Sequence, residues 1–494
     1  MAHNQQGPSR VESEISNDGN ETPVLSSSTN IPPTWDGPND MANPKNWSFW
    51  RKVFITWIWI YGNLVASISS SIFSSGAQAI SKEFAASPHV VTLGVSLFVA
   101  GYSVGPPFWS PLSEHSGRRW PMLIGMTLFT LFCIPVAVGK NLQTILVGRF
   151  LCGVTGVAPI ALFGGGLVDI WSPEQRAIAM ATCIGMVLGG PLIAPVMGNF
   201  ITASHLGWRW TSWLSCIMGG TCVLLVFFGL PETYEPVLLK RREPSDSSSR
   251  RATPNIGDLK KFAQVYLFRP FVLLGTEPIL ILVTIYQAFV YGILYLVFSS
   301  YPIIFREERH WKLGISSLPF LGMMVGVLCG AAAIVARTRM AQIASRKEGN
   351  STSSPTDLVI PERRLPLMMV GSVILPIGLF IFAWTSAPHI PWPGMVIASL
   401  PVGIGLIMVF VQCMNYILDV YSHVANSALG ANTIIRSFFA AGFPLFATYM
   451  YNGLGIAWAS SVLGFISLGM IPIPLLFYRY GPRIRLMSKN SIIS

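Results

Sequence analysis

Twelve long apolar runs make up most of this chain, and each has the length of a helix that crosses a lipid bilayer. A transmembrane helix needs about 20 apolar residues to cross a hydrocarbon core roughly 30 Å thick. Charged residues make up only 11% of the chain, whereas soluble domains carry about 25%. The chain cannot cover a soluble surface with charge, so lipid must be its main solvent. The runs lie near residues 53–76, 88–111, 120–138, 142–169, 174–202, 210–230, 270–299, 313–336, 366–386, 393–417, 424–451 and 456–478.

A polar stretch at about 231–269 separates the sixth run from the seventh. Equal halves around a central polar loop indicate a duplicated architecture. We therefore predict an all-α integral membrane protein with twelve transmembrane helices in two six-helix bundles. The predicted segments are a disordered tail at 1–45, a bundle at 46–230, a linker at 231–269, a bundle at 270–478 and a C-terminal tail at 479–494.

Basic residues are distributed very unevenly between the two sides of the membrane. With the N-terminus inside, 25 of the 33 Lys and Arg residues fall on the side of both tails and the linker, and six fall on the other side. Cytoplasmic loops carry an excess of Lys and Arg, so both tails and the linker are predicted to be cytoplasmic. The basic residues that give the chain its net charge of +11 flank apolar runs. They therefore indicate a phospholipid surface, and no nucleic acid is expected as a partner.

The other two basic residues, Arg149 and Arg436, lie inside apolar runs. A cation in the hydrocarbon core costs about 2.5–3.5 kcal/mol or more. Arg149 therefore faces a wet cavity or a partner, or it is an arginine that snorkels from the helix start. Arg436 lies midway along the eleventh run, and Asn432 precedes it by one helical turn, so both can line one polar face.

Glu277 lies in the seventh run, before Pro278. A carboxyl group in low dielectric can exchange protons near neutral pH, which suits proton transport. The alternative is an acid that reaches the inner interface and pairs with Arg269. For Asp169 and Asp419, at the ends of their runs, capping or pairing with loop arginines is the favoured interpretation.

Aromatic and amide residues of the seventh and tenth runs are candidates to line a cavity for a flat, lipophilic ligand. The alternative for each of them is ordinary helix packing. These residues are Tyr286, Gln287, Tyr291, Tyr295, Gln412 and Asn415.

The fifth run combines small residues with prolines. Gly190 and Ala194 lie on one small-residue stripe, and Pro191 and Pro195 each remove a backbone donor and bend the helix. Such a helix can pack tightly and pivot, and a merely kinked packing helix is the alternative.

Several classes of enzyme and pump are not indicated. The sequence has no phosphate-binding Walker A run and no Gly-x-Ser-x-Gly elbow. All seven cysteines lie in apolar runs without metal-ligand spacing, so neither a metal nor a cofactor is expected. A membrane-embedded enzyme or receptor would need a catalytic cluster that the sequence does not show.

The short connection between the second and third runs carries Glu114, Gly117, Arg118 and Arg119. Lipid excludes these charges, so the loop must lie at one membrane face. Six plus six runs with a Gly-Arg-Arg loop after the second resemble the major facilitator superfamily. The resemblance implies that these residues form a cytoplasmic gate with Asp169.

Two further motifs extend the resemblance. Arg149 followed by Gly153 resembles the fourth-helix arginine motif that is implicated in proton coupling in this superfamily. The pairs Gly190-Pro191 and Ala194-Pro195 resemble its fifth-helix motif, which is typical of antiporters. Arg149 and Glu277 are therefore the expected proton-coupling residues.

Four short segments are similar to fungal twelve-span drug:proton antiporters. They are Asn43–Trp47, Pro231–Tyr234, Tyr291–Tyr295 and Gly442–Phe446. The resemblance implies alternating access by a monomer in the plasma membrane, or else the vacuolar membrane. Inward proton flow would drive export of a drug, toxin or secondary metabolite. Polyamine export and nutrient uptake remain alternatives.

Overall fold

The computed structural model describes residues 35–242, 268–347, 361–387, 389–421, 424–486 and 488. The predictions for the start of the N-terminal tail, the centre of the linker and most of the end of the chain lie outside these residues. Within the described ranges the regular secondary structure is helical throughout, and no strand occurs.

The first half of the chain forms six membrane spans. Proline or glycine interrupts several of them, which fits the known tolerance of bundled membrane helices for such breaks. The spans are Phe49–Ser71 with its extensions Ile72–Gly76 and Ala77–Glu83, Pro88–Val104 with Pro106–Ser116, Arg119–Val138, Leu142–Gly156 with Ala158–Ile170, Pro173–Ala203, and Arg209–Gly229. A short helix, Glu235–Lys240, follows the sixth span.

The second half forms six more spans. They are Arg269–Thr276 with Pro278–Pro302 and the π-helical turn Ile303–Glu308, Phe320–Lys347, Leu365–Thr385, Trp392–Val420, and the continuous element Ala425–Gly469, which is followed by Pro472–Leu486. Within that continuous element Gly455 has a φ of 73°, which breaks the helix and separates the eleventh span from the twelfth. Three-residue to four-residue 3₁₀ turns precede the first, eighth and ninth spans at Pro44–Asn46, Ile315–Ser317 and Pro361–Arg364.

The twelve-span prediction is confirmed. Ten helical elements are long and apolar enough to cross a membrane, and the pair bent by 40° at residues 88–116 makes an eleventh. The element Ser427–Arg485 has 59 residues, enough for two spans, and Gly455 divides it into them. Large apolar side chains such as Phe228, 80% exposed, and Phe438, 71% exposed, cover the outside of the protein and indicate a lipid-facing surface.

The two halves form two six-helix bundles, and two helix pairs contribute most of the contact between them. The second span packs against the eleventh, and the fifth span packs against the eighth. On the face that carries the loop at 113–119, a Cβ at Gly430 would lie 3.6 Å from Ser110 of the other half. On the opposite face, the rings of His89 and Tyr449 stack with centroids 4.7 Å apart. The bundles therefore touch at both membrane faces.

Small residues permit the close approach of helices within each bundle. A Cβ at Gly153 of the fourth span would overlap the backbone carbonyl of Phe98 in the second span. A Cβ at Gly190 of the fifth span would lie 2.6 Å from the Cβ of Ser67 in the first span. Such contacts let helix backbones approach closely in lipid, where no hydrophobic effect drives helix association.

We expect Gly153→Ala to lower the stability of the protein by about 1–3 kcal/mol, because the second and fourth spans must move apart. Gly220→Ala is the matched control, since a Cβ at Gly220 meets nothing within 4 Å. It should leave stability unchanged or raise it by up to about 1 kcal/mol, the helix propensity gain of alanine. Thermal unfolding of both variants in detergent checks this, and equal melting temperatures would contradict the packing described.

Candidate functional site

Arg149 is held by backbone carbonyl oxygens in the middle of the first bundle. Its Nε donates to Gly94 O at 2.9 Å, Nη1 donates to Ser69 O at 2.8 Å, and Nη2 donates to Ser70 O at 2.9 Å. Its guanidinium also lies 4.9 Å and 4.2 Å from the ring centroids of Phe73 and Phe98. With 5% exposure, it joins the first, second and fourth spans and does not snorkel to the membrane surface.

These contacts explain where the first span bends. The α-helix ends at Ser71 and continues as a 3₁₀ turn from Ile72. The last carbonyls of an α-helix have no intrahelical donor. Ser69 and Ser70 lie in that last turn, and Arg149 supplies the missing donors. The arginine therefore stabilises a break in the first span, at the depth where the two bundles meet.

The prolines of the fifth span face the same Ser-rich end of the first span. Pro195 has no N–H, so Pro191 O lacks its helical donor, and Ser71 Oγ donates to it at 3.3 Å instead. Ser75 Oγ lies 3.5 Å from Pro195 O. The kinked fifth span is thus tied to the first span by side-chain hydroxyls.

Hydroxyl groups link the two bundles at this level. Ser70 Oγ, in the first span, lies 3.2 Å from Tyr295 Oη in the seventh span. Tyr295 Oη lies 3.4 Å from Tyr291 Oη, one turn earlier. Since Ser70 O also accepts from Arg149, a continuous chain of contacts runs from Arg149 across the interface to Tyr291.

Arg436 lies at the other end of this chain. Its guanidinium lies 5.0 Å from the ring centroid of Tyr291 and 4.8 Å from that of Phe410. It is 2% exposed, and its Nε and Nη1 have no hydrogen-bond partner among the described residues. Its environment therefore differs from that of Arg149, whose three nitrogens all donate to carbonyl oxygens.

Asn432 and Gln287 form a buried amide pair beside Arg436. Asn432 Nδ2 donates to Gln287 Oε1 at 3.0 Å and to Thr284 Oγ1 at 3.2 Å. Gln287 Nε2 and Asn432 Oδ1 have no partner among the described residues. Helical spacing places Gln287 one turn before Tyr291 and Asn432 one turn before Arg436. The seventh and eleventh spans thus share one polar patch, which we call the midplane patch: Gln287, Tyr291, Asn432 and Arg436.

Two other cavity candidates, Tyr286 and Gln412, lie on the side of the ninth span, away from the midplane patch. Tyr286 lies beside Ser372 of the ninth span. Gln412 follows Gly405 by seven residues, on the side of the tenth span that packs against the ninth. Gln412 Oε1 and Asn415 Nδ2 are buried without partners among the described residues. Spacing alone could not separate them from the patch, because it does not specify which neighbour a helix face meets.

A second cluster lies at the membrane face that carries the loop at 113–119, called the charged face below. Arg118 Nε pairs with Asp169 Oδ2 at 3.0 Å, and its Nη1 donates to Ser113 Oγ at 2.8 Å. Its guanidinium lies 4.5 Å from the ring centroid of Tyr234. Arg118 is only 3% exposed. All these residues belong to the first half of the chain, so this pair does not cross between the bundles.

Glu232 organises the same loop, and sequence reasoning gave it no role. Its carboxylate accepts from the backbone N–H of Arg118 at 2.8 Å and of Arg119 at 3.3 Å, at the start of the third span. A carboxylate there satisfies free helix N–H groups and the helix dipole. Gly117 has a φ of 88°, and a Cβ at that position would collide with the Glu232 carboxylate. The signal was an acid directly after the sixth span, in the segment Pro231–Tyr234.

The two remaining loop residues lie at the edge of this cluster. Arg119 Nη2 donates to Phe227 O at 2.7 Å, which ties the loop to the sixth span. Glu114 is half-buried in the last turn of the second span.

An ion pair between Arg176 and Asp419 crosses from one bundle to the other. Arg176 Nη2, at the start of the fifth span, lies 3.2 Å from Asp419 Oδ1, at the end of the tenth span. Arg364 Nε holds the second oxygen of Asp419 at 3.0 Å. The Asp419 side chain is 3% exposed. This pair therefore joins the two bundles at the charged face. The family resemblance had implied that the loop at 113–119 plays this role.

Glu277 lies at the break in the seventh span. The residue before a proline is driven out of the helical region, and Glu277 has φ −109° and ψ 98°. Its side chain is fully buried. Glu277 Oε2 accepts hydrogen bonds from Tyr421 Oη at 3.2 Å and from Ser488 Oγ. These partners come from the ends of the tenth and twelfth spans, so the carboxylate joins three spans at the charged face.

The part of the chain that the structure describes contains no group of three or more His, Cys, Asp or Glu side chains that could hold a metal ion.

Comparison with known proteins assigns this arrangement to a family. Residues 60–444 match the family model described as Major Facilitator Superfamily. The chain belongs to the Major Facilitator Superfamily. It is therefore a multi-pass membrane transporter, and it is not an enzyme. The transporter's fold of two six-helix bundles is the fold of this family.

Two fungal relatives and one solved structure illustrate the similarity. The MFS-type transporter oryN of Aspergillus oryzae is 60% identical over 466 residues, which cover 93% of this chain and 90% of that protein. The citrinin biosynthesis cluster MFS transporter mrr1 of Monascus ruber is 47% identical over 468 residues, which cover 92% of each chain. The partially occluded inward-open structure of the xylose transporter XylE from E. coli has a TM-score of 0.60 at 15% identity and covers 87% of this chain and 99% of its own. That likeness shows the shared fold.

Gly117→Ala should destabilise the transporter more than Gly207→Ala does. Both glycines have positive φ, but a Cβ at Gly207 meets nothing within 4 Å. Gly207→Ala therefore costs only the backbone strain, about 1–2 kcal/mol, whereas Gly117→Ala also displaces the Glu232 carboxylate from the third span. Thermal unfolding of the two variants gives the comparison. An equal loss at both sites would show that Glu232 does not organise the loop.

Arg176→Gln should open the charged face. The change leaves Asp419 paired with Arg364 alone and removes the ion pair between the bundles. Spin labels are attached to cysteines substituted at His115 and Arg483, one on each bundle. Double electron–electron resonance then measures the distance between the two labels. We expect the distance distribution to gain a longer component in Arg176→Gln. An unchanged distribution would show that the pair does not fasten the bundles.

Proposed function

We propose that the transporter exports a lipophilic small molecule, such as a drug, toxin or fungal secondary metabolite, in exchange for protons. The observation that carries this proposal is the midplane contact chain from Ser70 to Tyr295 and Tyr291. In alternating access, substrate binds near the bilayer midplane between bundles that rock against each other. The aromatic lining suits a flat, lipophilic compound.

The direction of transport is supported by the sequence and by a relative. The Gly190-Pro191 and Ala194-Pro195 pairs resemble a motif of antiporters, and their carbonyls meet the hydroxyls of the first span. The relative from Monascus ruber is named as a transporter of the citrinin biosynthesis cluster. A transporter encoded with a biosynthetic pathway has an evident use in exporting its product.

We propose that the charged face is cytoplasmic, with both termini on that side. The uneven distribution of Lys and Arg supports this orientation. The proposed location is the plasma membrane, where export removes the compound from the cell. A monomer suffices for the proposed cycle, because both bundles and the midplane patch come from one chain.

Glu277 is the proposed proton-carrying acid. It is fully buried at a helix break, and hydroxyl groups from two other spans donate to it. Protonation of Glu277 would weaken these contacts and free the ends of the tenth and twelfth spans. Arg149 is proposed to couple this change to the midplane, because it fixes the bend of the first span beside Tyr295.

The charged face supplies the proposed cytoplasmic gate. The cluster of Arg118, Asp169 and Glu232 makes the first bundle rigid at this face, so it moves as one body. The pair of Arg176 and Asp419 breaks when the bundles part on the cytoplasmic side. Glu277 lies near the ends of the tenth and twelfth spans at this face. Its protonation would therefore couple the gate to the proton gradient.

A yeast strain that lacks its own drug pumps provides the test. The full chain is expressed and the cells are exposed to lipophilic antifungal compounds, mycotoxins and polyamines. The proposal expects lower accumulation of at least one lipophilic compound and loss of this effect with a protonophore. Resistance to polyamines alone would instead favour a polyamine exporter, and higher accumulation would favour an uptake carrier.

Glu277→Gln should abolish the dependence of transport on the proton gradient. Glutamine imitates the protonated acid, so substrate exchange across the membrane is kept while gradient-driven export is lost. Glu83→Gln is the control, because Glu83 pairs with Arg209 at the opposite face. Flux into proteoliposomes with and without a pH gradient separates the two cases. A Glu277→Gln transporter that still responds to the gradient as the wild type does would exclude Glu277 as the proton carrier.

A further inference from the structure

We infer that Arg436 binds an anionic group of the transported compound, and that the substrates are planar organic acids in their ionised form. This inference rests on the proposed export function and specifies its substrate class. The relevant site is the midplane patch together with the ring of Phe410.

The first support is the state of the guanidinium itself. Only 2% of the Arg436 surface is exposed. Its Nε and Nη1 donate to no described residue. A buried cation with unsatisfied donors is unfavourable, and proteins tolerate such groups mainly where they serve function. Each of the two unsatisfied nitrogens can donate a charge-assisted hydrogen bond to an anionic oxygen.

The charges around Arg436 do not supply an anion. The ionisable groups that act on it are three tyrosines, Tyr291, Tyr295 and Tyr102. None of the described carboxylates lies within ion-pair distance of Arg436; the acids that do form ion pairs lie near the membrane faces or in the flanking segments. A ligand carboxylate would therefore be the first formal negative charge at this position.

The second support is the shape of the surroundings. The rings of Tyr291 and Phe410 lie on the guanidinium, with centroids within 5.0 Å. Neither ring supplies an oxygen or nitrogen acceptor to Nε or Nη1 of the guanidinium. Aromatic rings stack with planar apolar groups, so the same walls suit the flat body of an aromatic or conjugated acid.

The third support is the neighbouring amide. Gln287 Nε2 is a buried donor without a described partner, and its Oε1 is held by Asn432 Nδ2. This bond orients the Gln287 amide with its donor end free. The patch therefore presents donors from Arg436 and Gln287 beside one acceptor without a described partner, Asn432 Oδ1. The guanidinium charge decides the preference, because it attracts an anion and repels a cationic polyamine.

The patch also lies where a substrate can reach it. Tyr291 contacts Tyr295, and Tyr295 contacts Ser70 of the other bundle. Separation of the bundles breaks the contact with Ser70 and exposes this side of the seventh span. The anion would thus bind in an open state and be enclosed when the bundles close.

Binding of a matched pair of probes tests the inference. The full-length transporter in lipid nanodiscs is titrated with 2-naphthoate and with 2-naphthamide, its neutral analogue, by calorimetry. Hydrogen bonds to charged groups predict that the wild type binds the acid roughly tenfold to a hundredfold more tightly than the amide. Arg436→Gln should remove this preference without weakening the binding of the amide. Arg436→Lys should keep part of it, because lysine retains the charge but not the planar fork.

Arg209→Gln is the matched control. It also removes one arginine, but Arg209 pairs with Glu83 at the opposite face. This variant should keep the full preference for 2-naphthoate. Equal binding of acid and amide by the wild type would overturn the inference. Survival of the preference in Arg436→Gln, or failure of the wild type to bind the acid, would do the same.

Thermal unfolding without ligand separates recognition from a structural role. Removal of an uncompensated buried charge should raise the melting temperature of Arg436→Gln above that of the wild type. A lower melting temperature would show that Arg436 is a structural residue and would overturn the inference. In yeast, export of neutral or cationic compounds alone would leave the export function intact and refute the anion site. A confirmed acid preference with inward transport would refute export and leave the site intact.

Discussion

Three carbonyl oxygens hold Arg149 inside the first bundle, and much of the central architecture depends on that arrangement. The arginine satisfies the open end of the first helix and so fixes where that span bends. The bend places Ser70 against Tyr295 of the other bundle and Ser71 against the Pro191 carbonyl. One buried charge thus connects the kink of the first span, the kink of the fifth span and the contact between the bundles.

The two arginines inside the membrane spans are both buried charges, but their hydrogen bonding differs. Arg149 donates to three peptide carbonyls within its own bundle, which makes it part of the framework. Arg436 is enclosed by two rings, and two of its donors remain without a described partner. We therefore propose that Arg149 transmits movement and that Arg436 recognises substrate. In this proposal the substrate supplies the acceptors that Arg436 lacks among the described residues.

The fold was largely predictable from the sequence, because lipid imposes a simple rule on helix length and on the position of charge. The twelve spans and the family followed from that rule and from the Gly-Arg-Arg loop. The partners of individual charges were not predictable. Arg176 and Asp419 are 243 residues apart, and only the packing of the fifth span beside the tenth brings them together. The role of Glu232 required knowledge that the sixth span ends beside the start of the third.

The candidate site was predicted in composition but not in geometry. Helical spacing grouped Arg436 with Asn432, because residues one turn apart lie on one face of a helix. It could not assign Tyr286 and Gln412 to the ninth-span side, since the neighbour of a helix face depends on tertiary packing. The Ser-rich end of the first span was overlooked because single hydroxyls in an apolar run carry little signal. Their importance comes from carbonyls that a helix break and a missing proline N–H leave free.

The most direct test of the central claim is an experimental structure of the transporter in lipid with its exported compound bound. The account predicts that an anionic group of the compound lies within hydrogen-bond distance of the Arg436 guanidinium, between Tyr291 and Phe410, while Arg149 keeps its three carbonyl partners. A compound bound through Arg149, or one located away from the midplane patch, would contradict the distinct roles proposed for the two arginines.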